Sequence, residues 1–130
     1  MSLTIDTNIL VRRIVSDDPK QAEIARELFA TEDIFIPNTV LLESEWVLRT
    51  AFGFTKEQIN LSFRLLVEEN NVTLEHPQAV QQSLEWHAQN LDFADALHLA
   101  QARGNFATFD TRLVKRAAKL ESAPLIYTPA

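Results

Sequence analysis

Apolar positions along the chain alternate between short clustered runs and longer stretches repeating at helical spacing, and this alternation predicts an α/β fold. The clustered runs are Leu3-Thr-Ile5, Asp33-Ile-Phe-Ile36, Val72-Thr-Leu74, Phe106-Ala-Thr108 and Pro124-Leu-Ile-Tyr127, each short enough to be a central strand of a parallel sheet. Between them the spacing predicts helices over 18–30, 38–52, 55–69, 77–90, 92–104 and 110–121, with a further helical stretch over 8–15. Asp18-Pro19 and His76-Pro77 place proline in a first turn, where its missing N–H is not needed, and Gly53 and Gly104 fall where a helix end favours positive φ. The expected architecture is a single domain over 1–130, a parallel β-sheet flanked by helices on both faces. Such sheets bind ligands at the carboxyl ends of their strands.

Two acids stand at those ends. Asp6 follows the first run directly, and Asp110 closes Phe106-Ala-Thr-Phe-Asp110 before the last helix. Each also suits a helix N-cap, as does Asp92, and local sequence leaves capping and ligand binding both open. Asp92 and Asp95 lie three apart, on one face of a first turn. Asp95 sits among Phe93, Ala94, Ala96 and Leu97, company in which an acid normally needs a partner or a metal. In the helix over 38–52 the apolar stripe is read at 40, 47, 48 and 51, with Glu43 and Glu45 flanking it on opposite sides; periodicity does not choose between them, and two solvated glutamates is the plainer reading.

Composition narrows the chemistry. With no cysteine, any metal must sit on carboxylates, carbonyls or the three histidines, and His76, His87 and His98 lack metal-ligand spacing. A formal net charge of −6 argues against coating nucleic acid by bulk electrostatics, but a bound cation reverses the sign of a local acidic cluster. The opening Met1-Ser-Leu-Thr-Ile-Asp6 offers no apolar stretch of targeting or spanning length, so no membrane association is expected and the expected compartment is the cytoplasm.

Four pieces in this order, Ile5-Asp6-Thr7-Asn8-Ile9-Leu10, Ile36-Pro37 through Leu42-Glu43, Asp92-Phe-Ala-Asp95-Ala-Leu97 and Thr108-Phe-Asp110, resemble the PIN-domain family over essentially the whole chain. More closely, they resemble its ribonuclease toxins of VapBC-type toxin–antitoxin systems. The resemblance implies that Asp6, Glu43, Asp95 and Asp110 form an acidic pocket holding one or two Mg2+ or Mn2+ ions, with Asp92 joining in some members. It implies that Thr7 or Asn8 orients the first acid and that Thr108 lines the same pocket. It selects Glu43 over Glu45, and it implies an RNA substrate and an antitoxin protein as partner. Oxygen ligands suit these hard ions, which activate water for phosphodiester hydrolysis without a protein nucleophile.

Arg112, Lys115, Arg116 and Lys119 follow Asp110 and are either a solvated face or guides for the RNA backbone. Leu42 and Trp46 lie opposite the core stripe of their helix, an apolar patch from which a homodimer is expected. Two other readings are an inactive PIN-like binding module and a phospho-aspartate phosphatase or receiver-like protein. The latter usually wants a second acid two residues after the first, where this chain has Asn8.

Overall fold

A computed structural model describes residues 2–130. Among the described residues the element order is β1 (Ser2–Thr4), α1 (Thr7–Ile14), α2 (Pro19–Thr31), β2 (Asp33–Ile36), α3 (Asn38–Ala51), α4 (Lys56–Val67), β3 (Val72–Leu74), α5 (Pro77–Ala88), α6 (Phe93–Ala100), β4 (Phe106–Ala107), α7 (Thr111–Ala117) and β5 (Ile126–Tyr127). The fold is α/β and every strand pair is parallel. The chain packs as two compact units, Met1–Pro77 and Gln78–Ala130.

In the first unit the strand order is β1-β2-β3, with Leu3 opposite Ile34 and Ile34 opposite Val72. Ile34 and Ile36 of β2 are buried, as a central parallel strand requires, whereas all three residues of β1 are exposed at the edge of this sheet. The helices start where the sequence signals them. Asp18 accepts from Gln21 N ahead of Pro19, and Thr55 and Gln58 form a reciprocal capping box. Helix α3 has no cap of its own; Glu75, just past β3, accepts from Asn38 N at 3.0 Å instead. Gly53 adopts φ +66° after α3, a conformation that favours glycine.

In the second unit β4 pairs with β5, and among the described residues the five strands form a three-stranded and a two-stranded sheet. The core gathers Trp86, Leu91, Leu99 and Leu113, with Phe106 and Ile126 packed against it. Helices α6 and α7 stop at Ala100 and Ala117, short of the expected 104 and 121. Both tails tighten into three-residue turns, Ala102 N to Leu99 O at 3.1 Å and Leu120 N to Ala117 O at 3.0 Å, which close the helices early. Among the described residues no helix is long and apolar enough to cross a membrane.

Candidate active site

Asp6 leaves the sheet at its carboxyl edge, since Ile5 N still reaches Phe35 O at 3.3 Å and α1 begins at Thr7. Its Oδ1 accepts from Ile9 N at 3.0 Å. That bond occupies one carboxylate oxygen and leaves the second for a ligand, so capping and binding are compatible roles rather than rivals. Thr7 is buried and donates a short hydrogen bond to Glu43 Oε1. Neither Thr7 nor Asn8 bonds Asp6 among the described residues; the orienting contact expected at the first acid is made to Glu43.

Glu43 is exposed except for that contact, but its neighbour two residues on is different. Glu45 is only 5% exposed and bonds Arg49 Nε through Oε2 at 2.8 Å. The expectation of two solvated glutamates therefore fails at Glu45. The buried positions of α3 include Leu41, Ser44, Glu45 and Leu48, a stripe rotated from the one read at 40, 47, 48 and 51, and Ala51 is exposed. An arginine one turn on escorts the buried acid, so a count of apolar residues misplaces the face.

The second unit collects three more acids. Asp92 caps α6 by accepting from Asp95 N at 3.2 Å. Asp110 caps α7, with Oδ1 accepting from Arg112 N at 2.9 Å and Leu113 N at 3.2 Å, and Thr108 Oγ1 accepts from Asp110 N at 3.0 Å. Thr108 thus steadies the backbone of the acid it was expected to accompany. The Asp95 carboxyl is held above the ordinary aspartate value of 3.8, first by burial, then by the charges of Asp92 and Asp110; His98 and Arg116 pull it back down. These five side chains share one electrostatic neighbourhood. The sequence places His98 one turn beyond Asp95 on the same helix, but nothing in it had tied Arg116, on the helix that Asp110 caps, to that acid.

Among the described residues, no three histidine or acidic side chains converge closely enough to hold a metal ion. Like charges keep such groups apart, and Asp92 and Asp110 each turn an oxygen back to their own helix. The donor chemistry nevertheless fits Mg2+ or Mn2+: hard oxygens only, with burial first and the neighbouring carboxylates second making it unfavourable for Asp95 to ionise. The folded chain binds the Asp95 proton more tightly than the unfolded chain does. The resulting stabilisation is complete below 3.8 and is lost as pH rises through the raised value. Asp95→Asn should therefore melt close to wild type at pH 3 and above it at pH 7 in EDTA; equal melting at pH 7 would contradict the burial of this charge.

His87 is buried and meets Phe93 edge-on at 5.5 Å, Trp86 belongs to the core of the second unit, and His76 Nδ1 pairs with Asn38 Nδ2 at 2.8 Å. Trp46 is 58% exposed on α3. Arg112, Lys115, Arg116 and Lys119 are all exposed.

The architecture defines the class: an α/β protein in which α1, α6 and α7 each start on an aspartate, two of them at the carboxyl ends of parallel strands. The PIN-domain profile matches residues 3–120, and the chain belongs to the PIN-domain family, whose members are in general nucleases. A search among curated proteins found no match.

Proposed function

We propose that this chain is a Mg2+- or Mn2+-dependent endoribonuclease, the toxin of a VapBC-type pair, acting in the cytoplasm. Asp6, Glu43, Asp95 and Asp110 are the proposed metal ligands, with Asp92 contributing. The observation that carries the reading is the half-buried Asp95 carboxyl, held above its ordinary value by burial and by the neighbouring charges of Asp92 and Asp110, an arrangement that a divalent cation would relieve. When bound, the ion supplies a water of lowered pKa and stabilises the negative charge that develops on a phosphodiester.

The chain's own groups supply orientation. Helix N–H groups fix one oxygen each of Asp6 and Asp110, and Thr7 fixes Glu43 Oε1. Arg116, whose charge lowers the Asp95 value, is the proposed phosphate contact, and Arg112, Lys115 and Lys119 are proposed to extend that charge as backbone contacts that read no sequence. An antitoxin and a second copy of the chain are the proposed protein partners, supported by the exposed Trp46 beside the half-buried Leu42.

The test is cleavage of unstructured RNA with Mg2+ or Mn2+ and with EDTA, alongside Arg112→Gln/Arg116→Gln. Cleavage should require the ion, and the double variant should bind RNA more weakly, with a log-affinity against log-salt slope flatter by about two. Cleavage undiminished in EDTA overturns the metal reading. Binding without cleavage favours the inactive PIN-like module.

A further inference from the structure

The first unit carries a cleft of about 560 Å³ with Asp6 on its lining, and it has more chemistry than metal binding needs. Its walls include Leu3 of β1 and Ile24 and Leu28 of α2, and its polar groups include Arg12 of α1 and Gln21 of α2. The volume lies in the range of about 300–1,000 Å³ typical of small-ligand sites, and so does the mixture of apolar walls with a few polar groups. We propose that this cleft receives an unpaired base of the RNA substrate beside the bond that is cleaved. The inference rests on the ribonuclease reading and adds to it a base subsite.

The polar groups are already oriented. Arg12 donates from Nη1 to Asp17 Oδ1 at 2.9 Å and from Nε to Gln21 Oε1 at 3.0 Å. Two contacts along its edge fix the guanidinium plane, and a fixed guanidinium is a surface on which an unpaired base can stack. Because Arg12 Nε can only donate, the Gln21 atom facing it must be the oxygen, which removes the usual ambiguity of an amide orientation. The Nε2 hydrogens of Gln21 are then its remaining donors, and no described residue accepts from them. A donor lining an apolar cleft favours a ligand with an acceptor. Every base supplies one, a carbonyl oxygen in uracil, guanine and cytosine and a ring nitrogen in adenine.

A phosphate is the poorer occupant. Asp17, outside the lining, already pairs with Arg12, Asp6 is a negative charge on the lining, and the apolar walls give nothing to a phosphate oxygen. A flat base buries its faces against Leu3, Ile24 and Leu28, with its edge available to Gln21. Its phosphate is left outside, toward the acid at the sheet edge.

The experiment uses the whole chain and short oligoribonucleotides carrying one abasic site at each position in turn. Binding is measured by fluorescence anisotropy in EDTA, and the cleaved bond is mapped with Mg2+ or Mn2+. One position next to the cleaved bond should lose about tenfold in affinity when abasic. Gln21→Leu should weaken binding of intact RNA and narrow its difference from the abasic strand at that position. Ile24→Trp, at a side chain already 51% exposed, should fill the cleft and bring intact RNA down to the abasic affinity, with the melting temperature reporting that the fold is kept. A flat abasic scan, or an abasic loss as large in Ile24→Trp as in wild type, overturns the base site while ion-dependent cleavage leaves the nuclease reading standing. Absence of both binding and cleavage overturns the two together. If Ile24→Trp leaves RNA affinity intact and instead alters sedimentation, the cleft is a protein contact and the proposal fails.

Discussion

Asp6→Asn is expected to lose cleavage by about a hundredfold or more while melting in EDTA within about a few degrees of wild type. Asparagine keeps the shape of the side chain and an oxygen that can still accept from Ile9 N, and the two residues rank together as N-caps, so the start of α1 survives. What disappears is the negative charge and the second acceptor oxygen, the part of Asp6 that the cap does not use. A hard divalent cation loses affinity and position when an anionic oxygen is replaced by an amide nitrogen. Asp6→Ala separates the two roles further. It should lose the same activity and, in addition, about 0.5–2 kcal/mol of stability from the missing cap. The measurement is ion-dependent RNA cleavage beside melting temperature for the three proteins. Wild-type cleavage by Asp6→Asn would reduce Asp6 to a cap.

The reason the sequence could not decide between cap and ligand is now physical: one carboxylate does the first job with a single oxygen. Asp92 and Asp110 repeat the pattern, so local statistics favoured capping at positions where capping does occur. Strand positions were legible because short β-branched and aromatic runs are bounded by helix-start signals, and Asp33–Ile36 and Val72–Leu74 match residue for residue. Division of the strands into two sheets was not legible, since pairing partners are long-range and β4 and β5 contribute two residues each. The Thr7 contact to Glu43 links residues 36 apart, which no helical wheel contains. The convergence of Arg116 on Asp95 likewise depends on how α6 and α7 pack, which periodicity along either helix does not encode.

Glu45 and Arg49 should divide stability unevenly, and in the opposite sense to activity. The Glu45 side chain is 6% exposed and Arg49 is its partner among the described residues, while Arg49 itself is 48% exposed. Arg49→Met leaves a carboxylate out of water with no countercharge, a change that costs about 3 kcal/mol and lowers the melting temperature by about 10 °C in a domain of this size. Glu45→Gln leaves an amide oxygen that Arg49 Nε can still use and a guanidinium that reaches water, so its cost is about 1 kcal/mol. Combining Glu45→Met with Arg49→Met removes both charges and should recover most of the loss, because a well-packed apolar pair of similar volume serves a buried position as well as an ion pair does. Glu43→Gln should behave in reverse, melting like wild type and cleaving poorly. Thermal denaturation at pH 7 in EDTA and ion-dependent RNA cleavage, run on all four variants, check both halves. Equal destabilisation by Arg49→Met and Glu45→Gln would mean that Glu45 is not held out of water, and loss of cleavage in Glu45→Gln at a temperature where it is folded would move the metal ligand from Glu43 to its neighbour.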